Sequence, residues 1–232
     1  ILHGTQYLDP KLRRQATTYY GPTSGVARAI EARHPSVAPL KVGVIGLGTG
    51  TLAVWGKPGD RYHFYDINPQ VVDIARREFT YLKDSAAAID VSLGDARLSL
   101  EREAPHAFDV LAVDAFSSDS IPVHLITREA MAVYLKHVKP DGAVVFHVTN
   151  RFLLLAPVVK KIADEMGLYT ALISDEAEES NFSKTDWVIV TRDKSLVEKS
   201  TIAAKAAPIE EIRSEEHTSE LQSRFGISYA VF

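Results

Sequence analysis

The residues of this sequence that could do chemistry are mostly acidic. Two of them lie at the end of its most strand-like run or shortly after it. Asp114 ends the run FDVLAVD, and Asp119 stands five positions further on in a serine-rich stretch. A carboxylate beside an amine can bind the cation and then accept its proton as a general base. An alkyl amine with a pKa of about 10.4 needs this help, because freeing its lone pair at pH 7 costs roughly 4–5 kcal/mol. We therefore predict that Asp114 is a general base. Asp119 either binds the distal charge of the amine or is a solvated turn residue.

A glycine-rich loop follows the first predicted strand, where residues 46–51 read GLGTGT. Glycines allow the backbone to turn tightly and to approach a ligand without a Cβ in the way. The spacing fits G-x-G-x-G better than the dinucleotide fingerprint G-x-G-x-x-G, because Thr51 stands where that fingerprint has glycine or alanine. The loop predicts either a nucleotide-binding turn or a tight connection between a strand and a helix.

Two further carboxylates stand at the ends of the next two predicted strands. Asp66 ends the second strand, about twenty residues after the glycine loop, where an acidic residue can accept hydrogen bonds from both hydroxyls of a ribose. Asp95 follows the third strand and could accept from an exocyclic adenine amine, or it could be a helix N-cap. A glycine loop and two acids at three successive strand ends predict an adenosine-containing ligand.

The elements that must position these residues alternate between strand and helix patterns. Such alternation indicates right-handed crossovers and a mostly parallel sheet with helices on both faces. Ligands then bind outside the carboxyl ends of the strands. The predicted strands are 41–45, 61–66, 89–93, 108–114, 143–148, 168–173 and 187–191, and the main predicted helices are 24–34, 68–79, 96–102, 128–138 and 155–166.

Composition excludes several classes of function. The 232 residues suffice for one α/β domain, and 26 basic against 30 acidic side chains, with no basic block, argue against a nucleic-acid partner. No cysteine is present, and His63, His106 and His124 show no metal-ligand spacing, so we expect no metal. His147 reads as a core residue. The longest apolar stretch, 152–159, is too short to span a bilayer, so we expect no membrane contact within this piece.

Five motifs in order resemble the spermidine synthase-like family. They are GLGTGTLA at 46–53, YDINP at 65–69, GDARLSL at 94–100, VDAFSSDSIP at 113–122 and HVTNR at 147–151, and the resemblance covers about residues 2–191. It is greatest to the subgroup in which this domain follows a membrane-embedded segment. The resemblance implies a Rossmann-like S-adenosylmethionine-dependent methyltransferase fold with a seven-stranded sheet. It also implies aminopropyl transfer from decarboxylated S-adenosylmethionine to an amine such as putrescine.

The resemblance also assigns roles to individual residues. Asp114 matches the first acid of the family's D-x-x-D pair and would be the base, while Asp66 would bind the ribose. Tyr19 and Tyr20 match an aromatic position near the amine channel, with core packing an equally good interpretation for one of them. The remaining nucleotide contacts implied by the family are Gln6, Gly46, Gly48, Gly50, Asp95 and Ala96.

The sequence departs from the family at two places that concern the amine. Four residues separate Asp114 from Asp119, whereas the family has two between its acids. The family's Tyr-His-Glu segment reads TYYG at 18–21, without the histidine or the glutamate. The identity of the acceptor amine therefore stays open.

Three other functions fit parts of the pattern. A methyltransferase on the same fold, using S-adenosylmethionine, usually has an acid two residues before the first glycine, where this chain has Val44. A nucleotide-binding domain without catalytic activity, belonging to a membrane protein, is disfavoured by the intact Asp114. An NAD oxidoreductase is disfavoured by Thr51. A homodimer stays open, and we expect a cytoplasmic location, either of the protein or of a domain of a membrane protein.

The ends of the chain are expected to lie outside the catalytic domain. We expect a lead of residues 1–23, a catalytic domain of 24–193 and a peripheral helix of 194–212, broken near Pro208. Residues 213–223 read RSEEHTSELQS, which resembles the translation of a sequencing-adapter oligonucleotide. We therefore expect 213–232 to be non-native.

Overall fold

A computed structural model describes residues 3–34, 39–116, 121–150, 153–176 and 181–210. One sheet of eight strands, in the order β3-β2-β1-β4-β5-β7-β6-β8, forms its centre. The strands are β1 Lys41–Ile45, β2 Arg61–Asp66, β3 Ala88–Leu93, β4 Phe108–Val113, β5 Val138–His147, β6 Tyr169–Asp175, β7 Thr185–Thr191 and β8 Ala206–Ala207.

The first five strands run in one direction, β7 runs against them, and β6, which is antiparallel to β7, runs with them again. β1 pairs in parallel with β2 and β4, and the same direction continues to β3 and β5. β7 is antiparallel to β5 on one side and to β6 on the other. The amino end of β7 therefore lies at the same edge of the sheet as the carboxyl ends of the parallel strands.

Helices cover both faces of the sheet. The helices are α1 Gly25–Arg33, α2 Pro69–Arg77, α3 Tyr81–Asp84, α4 Ala96–Arg102, α5 Arg128–His137, α6 Leu155–Glu165, α7 Lys194–Glu198 and α8 Ser200–Ala203, with short 3₁₀ helices at Thr51–Trp55 and Val123–Leu125. The helices α1, α2, α7 and α8 share one core with the sheet, and α4, α5 and α6 share the other. Successive residues of β4 alternate between the two cores, with Val110 and Ala112 in the first and Leu111 and Val113 in the second. This arrangement confirms the predicted α/β class.

Local sequence explains where several helices begin. The Ser24 and Asn68 side chains accept hydrogen bonds from backbone N–H groups in the first turns of α1 and α2. Asp95 and Thr127 do the same for α4 and α5. Side-chain oxygens at this position satisfy N–H groups that have no partner within the helix. Asn68 and Asp95 stand two residues after the ends of β2 and β3, so their caps fix α2 and α4 beside the candidate site.

The structure corrects three details of the prediction. β5 begins at Val138, directly after α5, and runs through Pro140 and Gly142, which were predicted to be a turn. Strand β8 is an additional, eighth strand of two residues, and it pairs with β6. The predicted C-terminal helix is two short helices that meet at Lys199, followed by β8. The predicted non-native tail lies outside the described residues.

Helices long and apolar enough to cross a membrane do not occur in the part of the chain that the structure describes.

Candidate active site

A cleft of about 1150 Å³ runs along the edge of the sheet where the parallel strands end. A cavity of this size exceeds the usual 300–1,000 Å³ or so of a site for one small ligand, so it has room for a nucleoside and a second substrate. One lining residue comes from the end of each parallel strand or from the loop that follows: Gly46, Asp66, Asp95, Asp114 and His147.

Two of the three loop glycines line this cleft. Gly46 has a φ of +97°, and a Cβ there would lie 2.4 Å from the backbone oxygen of Asp114. Gly48 has a φ of +52° and also lines the cleft. Gly50 is not among the lining residues, and a Cβ there would meet the side chain of Leu82, 2.8 Å away. Gly50 therefore has a packing role against α3, and its predicted ligand contact stays a prediction.

Asp66 ties the glycine loop to the end of β2 while facing the cleft. Its Oδ2 accepts from the backbone N–H of Leu47 at 2.9 Å, and its Oδ1 accepts from that of Asn68 at 2.9 Å. A carboxylate has about four acceptor sites, so each oxygen can accept another hydrogen bond. The carboxylate is thus held in place and can still receive the hydroxyls of a ribose.

Asp95 fits both of the roles considered for it. Its Oδ1 accepts from the backbone N–H of Leu98 at 2.9 Å, as an N-cap does, and its Oδ2 lies 3.2 Å from His124 Nε2. Asp95 and Ala96 also line the cleft. Next to them, Ile67 is 71% exposed and Ile74 is 47% exposed although both are apolar. An adenine base would cover such apolar surface, so the residues present fit the predicted nucleoside.

Asp114 is a nearly buried carboxylate of the cleft and has two hydrogen-bond partners. The hydroxyl of Tyr20 donates to its Oδ2 at 2.6 Å, and His147 Nδ1 lies 2.6 Å from its Oδ1. The Asp114 side chain is only 7% exposed. Burial and the negative charge of Asp114 raise the pKa of Tyr20 well above its usual value, so the phenol keeps its proton and donates.

The two tyrosines lie where the amine was expected. Tyr19 and Tyr20 both line the cleft, and Tyr20 also belongs to the first core. Their rings meet edge to face with centroids 6.2 Å apart. Tyr20 therefore combines the two roles that the sequence left open, core packing and contact with the site.

Gln6 does not line the cleft. Its Nε2 donates to the backbone oxygen of Arg13 at 2.8 Å and to Thr80 Oγ1 at 2.9 Å, and its Oε1 accepts from the Thr80 N–H at 3.0 Å. The amide thus fastens the lead segment to the start of α3. The predicted contact of Gln6 with the nucleotide or amine stays a prediction. Asp119 lies outside the described residues.

His147 is the residue that the sequence interpretation missed. It was assigned to the core, and it is indeed buried, yet it contacts Asp114 and lines the cleft. The signal that could have found it is the strand register. Val113 of β4 pairs with Phe146 of β5, and continuing that register by one residue places Asp114 beside His147.

The far wall of the cleft is polar and comes from the ends of β5 and β7. Thr149, Asn150, Ser183, Lys184 and Asp186 line it. Lys184 is exposed and pairs with Glu176 at 2.6 Å, and this pairing raises the pKa of the Lys184 amine. Within the described ranges, no three His, Asp or Glu side chains gather as ligands for a metal ion.

No family model matches the chain. A polyamine aminopropyltransferase of Vibrio vulnificus (strain CMCP6) is 29% identical over 112 residues, which make up 46% of this chain. The matched stretch covers 37% of that relative, little more than a third of its length.

Solved structures share the fold at low identity. A probable spermidine synthase of Corynebacterium glutamicum has a TM-score of 0.58 and 19% identity over 77% of this chain and 65% of its own. A spermidine synthase of Thermotoga maritima has a TM-score of 0.56 and 14% identity over 94% and 77%. Human methyltransferase-like protein 13, in complex with SAH, has a TM-score of 0.57 and 16% identity over 84% and 96%. The Rossmann-like methyltransferase fold is thereby confirmed, and the proteins that this chain is similar to are transferases.

Proposed function

We propose that this chain is a transferase domain that moves an aminopropyl group from decarboxylated S-adenosylmethionine to an amine. The observation that carries the proposal is Asp114, a buried carboxylate that shares one cleft with Gly46, Gly48, Asp66 and Asp95. A nucleoside held by the glycine loop and Asp66 would place its sulfonium beside the loop that follows β1. An amine held by Asp114 would then lie next to it.

The reaction needs little from the protein beyond alignment and one proton acceptor. The amine nitrogen forms a bond to the aminopropyl carbon, the carbon–sulfur bond breaks, and its electron pair stays on sulfur as a neutral thioether. The proton released from nitrogen passes to the Asp114 carboxylate. Because the sulfonium charge disappears during attack, most of the rate gain comes from orienting nitrogen, carbon and sulfur. The base contributes by freeing the lone pair.

The similarity to a polyamine aminopropyltransferase supports this assignment over its alternatives. Val44, two residues before Gly46, is 1% exposed and apolar, so it offers no partner to the amino-acid end of S-adenosylmethionine. Decarboxylated S-adenosylmethionine lacks the carboxylate at that end. A polyamine such as putrescine is one acceptor with the required amine, and a small-molecule amine is the proposed partner.

A methyltransferase is the second candidate, because human methyltransferase-like protein 13 shares the fold at a TM-score that matches those of the spermidine synthases. The fold itself therefore does not separate the two reactions. The difference lies in which nucleotide binds and which group moves.

The test is calorimetric titration with both nucleotides, followed by product analysis. The protein should bind decarboxylated S-adenosylmethionine more tightly than S-adenosylmethionine. Incubation with a panel of amines should give a product heavier than the acceptor by one aminopropyl group. Tighter binding of S-adenosylmethionine together with a methylated product would establish the methyltransferase instead. Nucleotide binding without any product across the panel would favour a domain that binds and does not catalyse.

A further inference from the structure

His147 sits in a fixed orientation at the end of β5. Its ring stacks on Trp187 with centroids 4.3 Å apart and planes within 8° of parallel. Phe116 meets it edge to face at 4.9 Å. Only 3% of the His147 side chain is exposed. The ring is therefore held on its face and on its edge, and the direction of its two nitrogens is set by packing.

Both nitrogens belong to a line of hydrogen bonds that ends on Asp114. The backbone N–H of Asp186 donates to Thr149 Oγ1 at 2.8 Å, and Thr149 Oγ1 lies 3.3 Å from Thr185 Oγ1. Thr185 Oγ1 lies 3.0 Å from His147 Nε2, and His147 Nδ1 lies 2.6 Å from Asp114 Oδ1. Two threonine hydroxyls thus connect a backbone amide to the imidazole and then to the candidate base.

The two ends of this line fix its direction. A backbone N–H can only donate, and an ionised carboxylate can only accept. Each hydroxyl between them supplies one proton and can accept another. One assignment uses every proton once along the line: Thr149 donates to Thr185, Thr185 donates to His147 Nε2, and His147 Nδ1–H donates to Asp114. In that assignment His147 is neutral and carries its proton on Nδ1.

We propose that His147 is a positioning residue for Asp114, donating to it from Nδ1, and that Thr185 holds the other nitrogen of the ring. This inference rests on the proposed function, in which Asp114 is the base. Tyr20 and His147 donate to different oxygens of the carboxylate, so together they fix its plane. His147 Nε2 faces Thr185, so the ring acts through Asp114 and does not itself receive the proton of the amine.

A merely structural role for His147 predicts a different outcome from a positioning role. If His147 only packs against Trp187, every polar replacement should lower the stability of the protein, and the change in kcat should not depend on which polar residue is introduced. Positioning depends on which nitrogen is preserved. An asparagine amide nitrogen can take the place of Nδ1, and a glutamine amide nitrogen reaches the place of Nε2.

The first experiment compares His147→Asn with His147→Gln in steady-state aminopropyl transfer. His147→Asn should retain kcat to within about tenfold, since a donor to Asp114 remains, whereas His147→Gln should lose about 100-fold in kcat, the size of effect expected when a reacting group is misplaced by about 1 Å. KM for the nucleotide should change little in both variants. Equal losses of kcat in the two variants would show that His147 only packs.

The second experiment removes the hydroxyl that meets Nε2. Thr185→Val leaves Nε2 without its hydrogen-bond partner, so the ring is held less firmly with its Nδ1–H toward the carboxylate. We expect kcat to fall about tenfold, in the range of losses seen when an orienting hydrogen bond is removed. Thr185→Ser should restore it. Thr191→Val is the matched control, because Thr191 is on the same strand, is equally buried and donates to the backbone oxygen of Gly142 at 2.8 Å. Thr191→Val should lower stability and leave kcat unchanged.

A third measurement separates this inference from the proposed function. Nitrogen-15 chemical shifts of labelled histidine in the wild-type protein report which ring nitrogen carries the proton, whatever reaction the protein catalyses. An Nδ1–H tautomer at His147 supports the hydrogen-bond line even if no amine gives a product, in which case only the proposed function fails. A wild-type Nε2–H tautomer would overturn the inference even if aminopropyl transfer is observed.

Discussion

Tyr20 and Asp114 are 94 residues apart in sequence, and the hydroxyl of the first donates a 2.6 Å hydrogen bond to the carboxylate of the second. The lead segment that precedes α1 therefore supplies part of the candidate site. Tyr20 is buried, and its raised pKa keeps the phenol protonated at neutral pH. The contact is a permanent donor to the base.

Replacing Tyr20 by phenylalanine should remove this donor while keeping the ring. A hydrogen bond to a charged group contributes about 1.5–3 kcal/mol, so the free energy of unfolding should fall by about that amount. With one of its two donors gone, Asp114 should also be less well oriented, and kcat should fall about tenfold. Tyr62→Phe is a matched control, since Tyr62 is equally buried and its hydroxyl has no hydrogen-bond partner among the described residues. Denaturant unfolding and steady-state kinetics of both variants provide the test, and equal effects would contradict it.

Asp114→Asn should separate binding from catalysis. The amide cannot accept a proton from the amine, so turnover should fall by roughly 10²–10⁴-fold. Affinity for decarboxylated S-adenosylmethionine, measured by calorimetry, should be nearly unchanged because the glycine loop and Asp66 remain. Turnover at the wild-type rate would exclude Asp114 as the base.

Gly46→Ala tests how closely the glycine loop approaches the site. The added Cβ would lie 2.4 Å from the backbone oxygen of Asp114, so the backbone must shift as well as adopt an unfavourable φ. We expect the free energy of unfolding to fall by about 3 kcal/mol or more, which places this variant among the severe cases. Gly167→Ala is the control, because its φ is +68° and nothing lies within 4 Å of the added Cβ. It should cost about 1–2 kcal/mol, the price of the left-handed conformation alone. Similar losses in denaturant unfolding would argue against the close approach.

Acid should destabilise the protein through one buried and one half-buried histidine. Burial lowers the pKa of His63, with the neighbouring His106 adding to the effect, and burial also lowers the pKa of His137. The unfolded chain therefore binds more protons than the folded one, and stability falls as the pH drops below about 6.5, the usual pKa of histidine. His137 shows why: its Nε2 lies 2.7 Å from the backbone oxygen of Leu100, while no described residue accepts from its Nδ1.

The test is the free energy of unfolding between pH 7.5 and pH 5.5. His63→Gln should lose less stability than the wild type over this range, because one of the two groups no longer takes up a proton. His3→Gln, which alters an exposed histidine, is the control. A slope in His63→Gln as steep as in the wild type would assign the acid sensitivity to other groups.

The fold could be predicted from the sequence more completely than the set of residues that line the site. Alternating strand and helix patterns indicated a parallel sheet, and the carboxyl ends of parallel strands must share an edge, so the common cleft of Asp66, Asp95 and Asp114 followed from topology. What the sequence did not show are contacts between distant segments. Gln6 and Gly50 pack against residues in or next to α3, a helix of four residues that is too short to show a hydrophobic period. His147 required the register between β4 and β5, which no local pattern contains.

Strand β7 runs antiparallel to its neighbours. Because of this reversal, two distant segments of the chain line different parts of the cleft. The glycine loop, Asp66 and Asp95 come from the first half of the described chain, whereas Ser183, Lys184 and Asp186 lie on the β7 side of the hairpin between β6 and β7. Substitutions in one of these two segments can therefore change one side of the cleft without changing the other. Grafting that hairpin from a relative would be a direct way to retune which acceptor is chosen while the nucleotide stays the same.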